Sequence, residues 1–272
     1  DNSPAYIWFD LVNRLASPYE LNPLGINPLK AVIEEAVDFS KVRDCGDLAL
    51  YLSATNVETG RARVFRREEI TAEVVMASAC LPFMFHAVEI DGQHYWDGGY
   101  MGNPVLFPFY EESPCSDILI VQINPIYRRG VPRSAREILN RVNEITFNSS
   151  LMKELRALHM MTELLEHHEI PSHNRRVMHL HMIEARKKMR PLGASSKLNT
   201  EWAFLHHLFE IGRDAAGKWL EAHYDDLGER SSLDVPSMFG AQSDPTKLPN
   251  PDGDEGDAGE GDDPAGGDGS GP

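Results

Sequence analysis

Apolar residues fall at helical spacing in residues 5–16 (AYIWFDLVNRLA), behind a Ser3-Pro4 start signal, and predict an amphipathic helix. A second helix is predicted from about Pro28 to Ala36. Leu48–Ala54 (LALYLSA) is short, apolar and bounded by turns, as a buried strand is. Thr55–Gly60 (TNVETG) then reads as a turn and Arg61–Phe65 as the returning strand. Ile70–Cys80 is helical and stops before Pro82, and Val88–Trp96 has the form of a hairpin. Asp117–Asn124 (DILIVQIN) is the clearest buried strand, with five of its eight residues Ile, Leu or Val. A long helical stretch follows from Ser134 to about His168, then an alternating strand at Arg176–Ile183 and a last helix from about Asn199 to His223.

Strands interleaved with helices place the chain in the α/β class. Its 272 residues suffice for a large buried core, and 42% hydrophobic with 25% charged residues is ordinary globular composition. The formal charge of −16 is unevenly spread: eight acidic and no basic residues lie between Asn250 and Pro272, which leaves −8 for the rest. That balance argues against general nucleic-acid binding, which needs a basic face. Two regions are expected, 1–234 folded and 235–272 a disordered acidic tail too poor in apolar residues to offset its ordering entropy. Cys45, Cys80 and Cys115 are odd in number and contain no CxxC pair, so free thiols in a reducing compartment are expected.

The candidate chemistry gathers around Asp97-Gly98-Gly99. An acidic residue ending a strand, followed by two glycines, can make a simple turn, or can hold a carboxylate where another segment approaches closely. Its surroundings favour the second reading. They are Ala54-Thr-Asn-Val-Glu-Thr-Gly60, Ala77-Ser-Ala-Cys-Leu-Pro-Phe83, Tyr95-Trp-Asp-Gly-Gly99 and Asn103-Pro104. In order and spacing these resemble the second half of the bacterial patatin-like phospholipases, closely over about residues 45–125. The resemblance implies a three-layer α/β/α, lysophospholipase-like fold whose sheet is incomplete at its N-terminal side. It also implies hydrolysis of lipid acyl esters by a Ser-Asp dyad without a metal or other cofactor. Asp97 would then be the proton acceptor, Gly98 and Gly99 would admit the nucleophile's turn, and Asn103 and Pro104 would shape the loop.

The family's Gly-x-Ser-x-Gly elbow and glycine-rich oxyanion loop have no counterpart in this sequence. Gly193-Ala-Ser-Ser-Lys197 lacks the second glycine and follows Asp97, so Ser195 and Ser196 read as structural. The chain is therefore expected to be the C-terminal part of a lipid acyl hydrolase, inactive and poorly soluble alone, needing an N-terminal segment for activity. The competing reading is a non-catalytic regulatory or scaffold domain that has lost the nucleophile. Lipid or acyl-ester substrate and transient contact with a membrane surface are the expected partners. The expected location is cytoplasmic or peripheral at lipid surfaces, and this N-terminus cannot report a signal peptide. His179 and His181 share a strand face, and His167-His168 and His206-His207 add nitrogen, yet no spacing gathers the three or four ligands of a zinc site. Met152, Met160 and Met161 could line an acyl pocket but read first as core, and Arg186–Arg190 reads as a solvated basic run before a headgroup site.

Overall fold

Turn chemistry and strand propensity build the first sheet. β1 (Tyr51–Asn56), β2 (Ala62–Arg66), β3 (Val88–Ile90) and β4 (Gln93–Asp97) form an antiparallel sheet in the order β2-β1-β4-β3. Asp91 and Gly92, at φ 52° and 74°, close the β3–β4 hairpin, the left-handed pair that an Asp-Gly turn supplies at little strain. Gly60, at φ 64°, closes the β1–β2 turn. The computed structural model describes residues 16–128, 130–167, 176–193, 196 and 199–239. They belong to two units, Asp1–Leu233 and Asp234–Pro272. The helix expected over 5–16 and most of the expected tail lie outside the described residues, and the second unit begins with a short helix, Val235–Phe239.

β1 differs from its sequence reading. Leu48 is exposed, and the strand runs instead from Tyr51 through Thr55 and Asn56, which the sequence assigned to the turn. Asn56 serves both elements. Its backbone pairs with Tyr95, while Oδ1 accepts hydrogen bonds from the Glu58 and Thr59 N–H groups and the Thr59 hydroxyl. A polar side chain that caps its own turn does not mark the strand's end.

Helix α1 (Leu29–Ala36) and helix α2 (Phe39–Asp44) precede β1, and helix α3 (Ala72–Ser78) lies between β2 and β3. Thr71 caps α3, its hydroxyl accepting from Val74 N at 3.4 Å. Val74 and Ala77 turn inward and join Ala54, Phe65, Ile70 and Tyr95 in a buried cluster, with Phe65 and Tyr95 edge to face at 5.7 Å.

β5 (Asp117–Gln122) and β6 (His179–Glu184) form a separate parallel pair, joined through the long helix α4 (Ala135–Glu166). Ser134 and Glu137 close a capping box at its start. Leu151, Leu155, Leu158 and Leu165 of α4 are buried, so the leucine face is core, but Met152 and Met161 are only half-buried and Met160 is exposed, which corrects the core reading of Met160. The sequence reading of β5 as a buried strand holds for one face. Ile118, Ile120 and Gln122 are buried on the face where Gln122 Nε2 donates to Asn148 of α4, at 2.8 Å. On the other face Leu119 and Val121 are 43% and 68% exposed. There helix α5 (Trp202–His223) sets Trp219 against His181 of β6, the register partner of Leu119. Parallel sheets are ordinarily covered on both faces. Among the described residues no helix is long and apolar enough to cross a membrane.

Candidate active site

Two motifs far apart in sequence meet in one ladder. Ala54, Thr55 and Asn56 of β1 stand opposite Asp97, Trp96 and Tyr95 of β4. The Thr55 hydroxyl donates to the Asp97 carbonyl at 2.8 Å, and Asp97 N–H donates to the Cys80 carbonyl at 2.9 Å. The end of α3 and the Ala54-Thr55-Asn56 run therefore both grip the backbone of Asp97. Its carboxylate caps the single turn Gly98–Tyr100 and accepts from Gly99 N–H at 2.7 Å.

Both glycines are required by close approach. A Cβ on Gly98 would lie within 3.0 Å of the Ser53 backbone and hydroxyl oxygens. A Cβ on Gly99 would lie 2.6 Å from the Phe147 ring. Here the second chain segment is β1 on one side and α4 on the other.

Sequence reasoning missed the part played by α4. Phe147, Ser150 and Glu154 stand at i, i+3 and i+7, one helical face. Phe147 meets Gly99 and packs at 5.2 Å on Tyr100, Ser150 Oγ accepts from Asn103 N–H at 3.3 Å, and Glu154 accepts from Leu106 N–H at 2.8 Å. Asn103 and Pro104, joined by a cis peptide, lie in the loop so held. The helical spacing was legible, but its target was not, because the contacts span more than forty residues.

Burial raises the Glu154 carboxyl above its ordinary value, and the Leu106 N–H only partly offsets this. A carboxyl raised on folding favours the fold in its protonated form, so its contribution is lost as pH rises from the unfolded value through the folded one. Glu154→Gln keeps an acceptor for Leu106 without the charge. It is expected to stabilise the protein at pH 7 by up to about 1 kcal/mol, with the gain vanishing below pH about 4 in urea unfolding.

Electrostatics around Asp97 exclude one substitute nucleophile. Burial pushes the Cys80 thiol up to about 11, and the Asp97 charge adds to it. Its S–H donates to the His86 carbonyl at 3.2 Å. A thiol so held is not a thiolate at neutral pH. Burial likewise raises Tyr100, with Asp97 contributing.

The histidines take structural positions. His181 is fully buried; its Nε2 lies 3.0 Å from Asp117 Oδ1 and its Nδ1 2.9 Å from the Ser232 hydroxyl. The residue types are those of a hydrolase triad, but His181 is fully buried, with the Trp219 ring edge to face at 5.6 Å. The cluster instead ties the segment Gly228–Leu233 to the β5–β6 pair, with Gly228 N–H on Asp117 and Leu233 N–H on the Leu180 carbonyl. Burial opposes the Asp117 charge, but the Gly228 N–H and His181 together hold its carboxyl below the usual value. A depressed carboxyl stabilises above its unfolded value and loses that contribution as pH falls through the folded one. Asp117→Asn is expected to cost about 1–3 kcal/mol at pH 7 and to speed amide exchange at Gly228 and Leu233, with the difference from wild type shrinking below pH about 4.

Among the described residues no group of three or more His, Cys, Asp or Glu side chains is arranged to hold a metal. Ser196 donates to the Gly193 carbonyl at 2.6 Å, a structural role, and Ser195 and His168 lie outside the described residues. His206 is paired with Glu210, and Arg186 with Glu184. No curated protein matches the chain. Residues 10–110, which carry β1 to β4 and the Asp97 turn, match the family model Patatin, patatin-like phospholipase, and the chain's mixed α/β architecture with an incomplete sheet is consistent with a patatin-like α/β/α fold.

Proposed function

We propose that this chain supplies the base of a Ser-Asp dyad that hydrolyses lipid acyl esters, with Asp97 as proton acceptor. The carrying observation is the convergence on Asp97 of β1, the end of α3 and α4, with two glycines that leave no room for a side chain. A serine hydroxyl is a weak nucleophile at neutral pH and needs a base within hydrogen-bond reach. Asp97 would take its proton as Oγ attacks the ester carbonyl, then return it to the leaving alcohol. Water would next release the acid from the acyl-serine, Asp97 again accepting a proton. The family match supports a lipid acyl hydrolase at the level of the family.

The nucleophile and oxyanion donors belong, on this reading, to a polypeptide segment outside these 272 residues. The exposed face of β5 and the separation of β5–β6 from the first sheet support it, since both leave surface for further strands and helices. The domain is proposed to extend to about residue 234 and to act peripherally at lipid surfaces in the cytoplasm. The test is direct. The coding sequence upstream should carry a glycine-rich loop and Gly-x-Ser-x-Gly in frame, and the longer protein should hydrolyse a short-chain chromogenic ester while the 272-residue chain does not. An upstream sequence without the elbow would favour the non-catalytic scaffold instead.

A further inference from the structure

Helix α5 carries two apolar lines, and one of them is uncovered. Leu208, Ile211 and Ala215 are half-buried on the side where Trp219 meets His181 of β6. Beside that line, Trp202, Leu205, Phe209, Ala216 and Leu220 recur at i, i+3, i+7, i+14 and i+18, so helical spacing alone sets them on one face. On it Trp202 is 77% exposed, Phe209 55%, Leu205 45% and Leu220 46%. Single exposed leucines need no explanation, but an aromatic and aliphatic line along a helix does. The i+10 place in the line is Gly212. A mid-helix glycine weakens the helix relative to alanine. Gly212 has no left-handed φ, and among the described residues a Cβ there would meet nothing within 4 Å outside its own helix. Neither backbone conformation nor the chain's own packing calls for glycine here. Close approach by another molecule does.

Charge indicates the occupant. His206, Glu210 and Arg213 run beside the exposed line at i, i+4 and i+7. The His206 ring sits between Trp202 and Phe209, with centroids 6.5 and 6.1 Å away, and lies 3.8 Å from the Glu210 carboxylate. The Arg213 guanidinium stands 5.6 Å from the centre of the Phe209 ring. One flank therefore holds both signs of charge, on either side of Gly212. A second copy of α5, antiparallel and crossing at Gly212, brings Glu210 of each copy beside Arg213 of the other. The same crossing sets Leu205 opposite Leu220 and Phe209 opposite Ala216. A two-fold interface needs this self-complementarity, and Trp and Arg are residues that anchor interfaces. A parallel crossing would instead set Arg213 against Arg213.

We propose that the exposed face of α5 pairs two copies of this chain, antiparallel and crossing at Gly212, with Trp202 and Phe209 as anchors and Glu210–Arg213 pairs between copies. The pairing is independent of the acyl-ester reading of Asp97 and stands or falls without it.

Size exclusion with light scattering, over a dilution series of the 272-residue chain, tests it. The wild type should run at twice the 30.5 kDa chain mass and dissociate on dilution. Phe209→Ser should raise the dimer dissociation constant at least about tenfold, as loss of an interface anchor does. Gly212→Leu should raise it as much. At concentrations where both proteins are monomeric, Gly212→Leu should also unfold at a higher temperature than wild type, because leucine favours helix over glycine. Loss of the dimer then cannot be assigned to misfolding. Glu210→Arg and Arg213→Glu should each weaken self-association, and an equal mixture of these two variants should pair at wild-type strength, which only contacts between copies produce. A wild-type chain that is monomeric at every concentration overturns the proposal. So does a dimer that survives Phe209→Ser or Gly212→Leu, since it would pair through another surface such as the exposed face of β5. Open-ended aggregates overturn it as well, because a two-fold face closes at two. A mixture that pairs no better than either charge variant alone overturns the antiparallel crossing.

Discussion

If Asp97 is the base proposed above, Asp97→Asn should lower ester hydrolysis by the longer protein by about 10²–10⁴ and leave its stability unchanged. General-base assistance is worth about 10²–10⁴ in rate, and a serine attacking without it should lose kcat by that order. The amide removes the proton acceptor but keeps an oxygen in place for Gly99 N–H, now bonded at 2.7 Å. The backbone holds from Thr55 and to Cys80 use no side-chain atom of Asp97. Asp97→Ala should lose the same activity and also the cap, about 0.5–2 kcal/mol. Steady-state kinetics on a soluble chromogenic ester, paired with urea unfolding of both variants, separates base from cap. Retained kcat in Asp97→Asn would show that another group takes the proton.

Gly98→Ala should be the most damaging single methyl addition in the site. Its Cβ would overlap oxygens of Ser53, and a mid-strand carbonyl cannot swing aside as a side chain can. Relief requires β4 to move from β1 at the Ala54–Asp97 pair, which positions Asp97. The expected cost is about 3 kcal/mol or more, with activity lost in whatever fraction folds. Gly99→Ala provides the control. Its Cβ meets the Phe147 ring, which can tilt, so about 1–2 kcal/mol is expected. Similar costs for the two would mean that the β1–β4 contact is looser than described. Chemical unfolding midpoints for both variants make the comparison.

The local elements were largely legible. Helix Ala72–Ser78 falls inside the expected 70–80, and helix Ala135–Glu166 inside the expected 134–168, because caps and apolar spacing are local signals. The β3–β4 hairpin was legible from Asp91-Gly92 for the same reason. The shift of β1 toward Asn56 was not, since Asn56 carries a turn residue's side chain on a strand residue's backbone. Nor was the half-exposed β5. Ile-Leu-Ile-Val reads as a buried strand, and only the position of neighbouring helices decides whether both faces are covered.

Asp97-Gly98-Gly99 shows the same division within the site. Motif order and spacing were enough to single out the carboxylate. Tertiary structure decided why glycine is needed, Gly98 against β1 and Gly99 against Phe147, and that α4 clamps the loop through Ser150 and Glu154. It also decided that His181 is a fully buried fastening. By itself the sequence determined the α/β class, most elements and the candidate base, because each depends on neighbours a few residues apart. Close approach, burial and exposure were left to the tertiary structure, because each is set by segments distant along the chain.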